Sequence, residues 1–294
     1  MRKGRHHWEA GLTAVAAVAL VSGAAGAAEP ERTWEASGFN QPESAVYDAE
    51  RDVIYVSNVN GEPGQRTGDG YISKLSPDGE VTEAEWVTGL NAPLGMDLHD
   101  ATLYVADIDE IVAIDVETGE VVGTHPAPGA QFLNDVTADG QGRVFVSDMM
   151  QDRIYVLEGD QVEVWLEDKD LEAPNGLYAE DDRVVVGAWG VMTEGFETDV
   201  PGHLKVVDLQ TREVESLGDG TPVGNLDGVE PDGRGNYLVT DWMAGKLYRI
   251  TPEGQAEELI DLGQGAADHE YIEERGLVII PMMSDGVVVA YRIE

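Results

Sequence analysis

The stretch 42-PESAVYDAERDVIYVSN-58 decides the fold, because its plan returns five more times along the chain. Its opening phrase, PESAVYD at Pro42, is echoed by PLGMDLH at Pro93, LNDVTAD at Leu133, PNGLYAE at Pro174, LDGVEPD at Leu226 and ADHEYIE at Ala267. The second residues of these phrases are Glu43, Leu94, Asn134, Asn175, Asp227 and Asp268, spaced by 51, 40, 41, 52 and 41 positions. Each phrase leads through a charged or Gly-containing turn into a β-rich run: VIYVSN, TLYVAD, RVFVSD, RVVVGAW, NYLVTDW and LVIIPMM. A third run follows in every copy, from YISKLS to VVVAYRI, and in four copies a fourth strand candidate such as VEVWLE. Short runs rich in Val, Ile and Tyr between turn signals are strands, and no long segment shows a helical period.

Four short strands in a repeat of about forty residues make a propeller blade, and six such blades close into a ring without long exposed edges. The sequence therefore predicts an all-β, six-bladed β-propeller over residues 28–294. The last copy stops at Glu294 after three strands, and the first strand candidate, Thr33 to Gly38, has no blade of its own. That strand is predicted to complete the last blade and close the ring. A β-sandwich or two small domains is the competing arrangement.

Residues 1–27 are set apart from this domain. Arg2, Lys3 and Arg5 precede an apolar run from Leu12 to Val21, and small residues close it at Ala25-Gly26-Ala27. This is the build of a secretory signal peptide cleaved after Ala27 or Ala28, and the run is too short to span a bilayer. The expectation is an exported periplasmic or secreted protein, with a retained N-terminal anchor as the alternative. The chain has no cysteine, which excludes disulfides, thiolate metal sites and cysteine nucleophiles. Its 57 acidic and 18 basic residues give a formal net charge of −39. Such a surface repels nucleic acid and anionic lipid, so neither is expected as a partner, and a small molecule and a monomeric state are. The acids are spread along the whole chain, as on a surface adapted to high salt, so a halophilic source is expected.

In a propeller the innermost strand of each blade starts at the central channel, so the second residues of the six phrases converge on one axis. Glu43, Asn134, Asn175 and Asp227 bring carboxylate and amide oxygens there, and Asp268 is a fifth candidate. An all-oxygen set suits one hard divalent ion, Ca²⁺ first, with Mg²⁺, Mn²⁺ or Zn²⁺ as substitutes. Asn-Gly and Asp-Gly pairs are also ordinary turn formers, which accounts for one such pair but poorly for four oxygen donors at one repeat position.

With these motifs in hand, the chain resembles the gluconolactonase, senescence-marker-protein and regucalcin family, with the paraoxonases as distant relatives. The resemblance rests on PNG at Pro174, LDG at Leu226, LND at Leu133 and the early Glu43. It implies that Glu43, Asn175 and Asp227 bind the metal, that Asn134 binds metal-bound water or substrate, and that Asp227 acts as base in opening a lactone ring. The expected activity is hydrolysis of a lactone or related ester, with the ion polarising the carbonyl and activating water and Asp227 taking the proton. A non-catalytic binding or scaffold propeller with a structural ion is the second reading. The family places an Arg two residues before the third-blade Asn; here that residue is Phe132, which turns the expectation from sugar lactones toward less polar substrates.

Two long spacings shape access to the axis. The extra residues of the first and fourth copies fall after the second strand, at 59–70 and 190–203, and are expected to rise over the metal side from opposite blades. With Phe132, Trp189, Phe196 and Trp242 as substrate contacts, and Met149 and Met282 nearby, they predict an apolar cleft. His269 is placed at its rim as an acid, base or substrate contact, or else as a hydrogen-bonded structural histidine. Asp107, Asp148 and Asp241 recur at the ends of second strands and are expected to bind turn amides. No GxSxG elbow is present, which argues against a serine hydrolase.

Overall fold

In the computed structural model, which describes Met1 and residues 29–293, six four-stranded antiparallel sheets stand around one axis. The signal-peptide reading of residues 1–27 lies outside the described residues, apart from Met1. No helix among the described residues is long and apolar enough to cross a membrane.

Blade 1 runs outward through Pro42–Asp48, Val53–Asn58, Gly70–Leu75 and Val81–Leu90. Blades 2 to 5 repeat this order from innermost strands Pro93–His99, Leu133–Ala138, Pro174–Ala179 and Leu226–Pro231. All of these blades have a fourth strand, including the one the sequence did not mark, because an outer strand is exposed on most positions and lacks an apolar period. Blade 6 starts late, at Glu270–Ile272, and its outer strand is Glu31–Ser37 from the other end of the chain, antiparallel to Val287–Arg292. The N-terminal strand closes the ring as the unpaired strand candidate implied.

The apolar residues of each blade pack against the next blade. Val46, Tyr55 and Ile72 of blade 1 meet Met96, Leu103 and Val112 of blade 2, and an equivalent cluster lies at each of the other five blade junctions. Because each sheet buries both faces this way, the second strands read as near-continuous apolar runs. Carboxylates add staples between blades: Asp97 accepts from Ala138 N at 2.6 Å, Asp135 from Leu177 N at 2.6 Å, and Glu270 from Tyr47 N at 2.7 Å.

The innermost strands share one irregularity. In blades 1 to 5 the ladder to the second strand breaks between the first and fourth residues of the phrase, so residues two and three leave the register. Such a bulge re-aims a side chain and frees backbone donors. In blades 1, 3 and 5 a second-strand hydroxyl takes up the freed N–H: Ser57 Oγ for Ser44, Ser147 Oγ for Asp135 and Thr240 Oγ1 for Gly228, each at 2.9 Å. The expected turn-amide role of the second-strand acids is seen. Asp107 accepts from Asn91 N and Ala92 N, Asp148 from Gln131 N and Phe132 N, and Asp241 from Ala244 N.

Candidate functional site

The bulges turn Glu43, Leu94, Asn134, Asn175 and Asp227 into one axial cavity of about 390 Å³. Its floor carries four oxygen donors, and three of their buried oxygens have no hydrogen-bond partner: Glu43 Oε2, Asn134 Oδ1 and Asn175 Oδ1. The two amides are held oxygen-inward by their nitrogens. Asn175 Nδ2 donates to the Leu226 carbonyl at 3.1 Å, and Asn134 Nδ2 donates to the Met149 sulfur at 3.6 Å. A buried acceptor left without a donor costs about 1–3 kcal/mol. Three of them face one space together with Asp227, an electron-rich set of the kind that would suit a cation.

The charges point the same way. Burial first, then the charges of Asp227, Asp268 and Asp135, hold Glu43 well above the usual carboxylate range. Burial, followed by Asp268 and Asp241, does the same to Asp227. No Lys, Arg or His lines the cavity, so nothing on its described wall neutralises this pair. The donors also fit a hard ion: two carboxylates and two amides supply only oxygen, leaving positions for water and substrate around an ion that takes six to eight ligands. Among the described residues no three His, Cys, Asp or Glu side chains group as a metal cluster by themselves, so the two amides are essential to the set.

Phe132, Trp189, Phe196 and Trp242 all line the cavity, with Met149 beside them. Two corrections apply to the neighbouring residues. Met282, the last residue of its strand, is buried in the core between blades 5 and 6, and Met283, in the turn that follows, takes the cavity wall instead. His269 and Asp268 do not reach the cavity. Blade 6 shows the same one-residue register break, between the Ala266–Met282 bridge and the Glu270–Ile279 pair, so its phrase starts at Ala266 and Asp268 is its third residue. Asp268 faces a second axial cavity of about 300 Å³ and accepts from Ser44 Oγ at 2.6 Å. His269 is buried beneath Gly228 with neither ring nitrogen hydrogen-bonded, and burial pushes it down to about 3, so it stays neutral.

That second cavity is encircled by all six innermost strands and holds Asp97, Asp135, Glu230, Asp268 and Glu270. The sequence reading missed this acidic channel. The signal was an acid at the third, fourth or fifth position of several phrases, concealed because acids are abundant everywhere in the chain.

Segment 190–203 forms a hairpin, Gly190–Met192 paired with Thr198–Pro201, that roofs the first cavity. Its turn carries Phe196, which packs edge-on against Phe132 at 5.9 Å and Trp189 at 6.1 Å. Segment 59–70 contributes Pro63 from the opposite blade.

The fold and axial site thus define a six-bladed propeller with an oxygen-donor centre at the start of its innermost strands. The family model for the SMP-30/gluconolactonase/LRE-like region matches residues 41–267, and the chain belongs to that family. No curated protein matches it in sequence. Among solved structures it is similar to a candidate gluconolactonase, at 17% identity with a TM-score of 0.64, covering 92% of this chain and 93% of the other. A gluconolactonase from Xanthomonas campestris aligns at 13% identity with a TM-score of 0.64, covering 88% of each chain. The virginiamycin B lyase of Staphylococcus aureus aligns at 13% identity with a TM-score of 0.60, covering 90% of this chain and all of the other. Likeness at these identities shows the shared fold alone.

Proposed function

We propose that this protein is a divalent-metal-dependent hydrolase of lactones or related esters. The observation that carries the reading is the set of unpartnered buried oxygens of Glu43, Asn134 and Asn175, gathered with Asp227 on the floor of an apolar-walled cavity. Glu43, Asn134, Asn175 and Asp227 would hold the ion, Ca²⁺ by the hardness of its donors, and the ion would supply positive charge against the substrate carbonyl. The family to which the chain belongs supports the same reaction class.

The chain's own part is proton handling and placement. Asp227 takes the proton of the attacking water as its oxygen bonds to the carbonyl carbon; the ring C–O bond then breaks, and the proton passes to the leaving oxygen to give a hydroxy acid. Burial and the nearby Asp268 and Asp241 raise the proton affinity of Asp227, which suits a base. Asn134 and Asn175, tied back through their nitrogens, hold their oxygens rigid and need no reorientation when the substrate binds.

The test is hydrolysis of aliphatic, aryl and sugar lactones by metal-replete protein, with and without chelator. Asp227→Asn keeps the side-chain shape but removes one of two charges and the proton acceptor, so turnover should fall at least ~100-fold and Ca²⁺ affinity should drop. Bound metal without turnover of any lactone or ester would support the binding-propeller reading instead.

A further inference from the structure

We propose that the roof hairpin and the wall beneath it select substrates carrying a long alkyl or aryl substituent and reject those with hydroxylated or anionic arms. This rests on the hydrolase reading and names the substrate class of the same site.

The wall separates by chemistry along its depth. The oxygen donors lie at the bulges, while Phe132, Trp189, Trp242, Phe196 and Met149 supply an apolar band above them. A cavity of about 390 Å³ is at the size that encloses a drug-sized ligand, so an unsubstituted lactone ring would leave most of the band against water. No cation lines the wall to pair with a carboxylate or phosphate arm, and the floor is itself anionic. A polyol arm would give up its water for a wall with few donors, since Gln41 and Ser284 are the polar residues of the lining outside the floor.

The roof is a fixed wall, not a loose flap. Trp189 Nε1 donates to the Phe196 carbonyl at 2.9 Å, and Asn225 Nδ2 donates to the Trp189 carbonyl at 2.9 Å and to Thr198 Oγ1 at 3.2 Å. Asn225 stands two residues before Asp227, so the hairpin is registered to the floor. The aromatic contact continues from Phe132 through Phe196 and Trp189 to Trp242, whose rings lie 6.3 Å apart in the last pair. Phe196 is nonetheless 44% exposed and Met243 41% exposed although both line the cavity. Apolar surface left open at the mouth of a chain with a net charge of −39 is surface that a substrate arm covers.

A series of γ-lactones with tails from none to eight carbons tests this, alongside a sugar lactone and a tail ending in carboxylate. The expected kcat/KM rises about two- to fourfold per methylene until the tail passes the roof. The carboxylate-tailed lactone should fall on the order of 100-fold below its methyl-ended counterpart, a penalty set by the uncompensated charge. Phe196→Ala should lower the dependence on chain length mainly through KM; its exposed position makes the truncation tolerable to the fold, which circular dichroism checks. In parallel, non-hydrolysable alkyl lactams of the same tail lengths are titrated against the tryptophan fluorescence of the metal-loaded protein. Lactams that bind more tightly with tail length, even where no lactone is turned over, support the selective wall while removing the hydrolase reading. Turnover and lactam binding that ignore tail length, or a preference for the sugar lactone, would overturn it.

Discussion

Asn134 and Asn175 are the residues whose roles depend least on family and most on geometry. Each uses its amide nitrogen on a neighbour, Met149 or the Leu226 carbonyl, and keeps its oxygen unpartnered toward the cavity. Asp227 depends on a hidden helper of the same kind. Its phrase bulges, and Thr240 Oγ1 both accepts from Gly228 N and donates to the Ala267 carbonyl at 2.9 Å. Thr240→Val keeps the volume but leaves both backbone groups buried without partners, at a cost of ~2–4 kcal/mol in stability, which urea unfolding would measure. Ca²⁺ affinity should weaken as well, because the same bond fixes the bulge that aims Asp227. A Cβ on Gly176 would overlap the Asp227 carbonyl oxygen, so the glycine of PNG lets blades 4 and 5 approach where the site is built.

At the scale of elements, the repeat was legible because the second strands are buried on both faces and leave runs of Val, Ile and Leu in the chain, each preceded by a similar short phrase. The outer strands are exposed on most positions, as in blades 2 and 4, and carry no such runs. The bulges were hidden too, since a register break is decided between strands and not within one. Its sequence trace is the small hydroxyl residue at Ser57, Ser147 and Thr240. Closure by Glu31–Ser37 was inferred from counting strands and is seen in its pairing with Val287–Arg292. Deleting residues 29–38 should lower unfolding stability by on the order of 3 kcal/mol or more, from lost burial at Ala36 and Trp34. The bared edge of the last blade should raise aggregation, which light scattering would follow.

For the whole molecule, the dominant feature is negative charge with little to oppose it. The axial channel concentrates that charge, and burial pushes Asp97 up to about 6, Asp268 to about 7 and Glu270 to about 8. These folded-state values lie above those of the unfolded chain, so the folded form binds more protons and stability falls as pH rises. The contribution is complete below about pH 4 and is lost as pH climbs through the folded values to about 8. Scanning calorimetry in chelator should therefore show a melting temperature that declines from pH 5 to pH 8, less steeply in Glu270→Gln. Added Ca²⁺ should raise it more at pH 8 than at pH 5, since Glu43 and Asp227 also retain protons in the ion's absence. We further propose that molar salt raises the melting temperature by screening a surface with 57 acids and 18 bases, in keeping with a halophilic origin.

The sequence by itself determined the blade count, the closing strand and the convergence of Glu43, Asn134, Asn175 and Asp227, because a repeat fixes equivalent positions and a ring brings equivalent positions to one axis. It also located the two long loops, since length is local information. Only the tertiary structure decided what lay on either side of that axis. The bulges sent residue two of blades 1 to 5 into the upper cavity, while the register of blade 6, anchored at Ala266 and not Ala267, made Asp268 a third residue facing the channel and buried His269 out of reach of either space. It likewise decided that Met283, not Met282, meets the cavity, and that segment 190–203 folds into a hairpin tied to Trp189 and Asn225. These outcomes depend on which strand pairs with which and in what register, and that is set by packing between residues far apart in the chain.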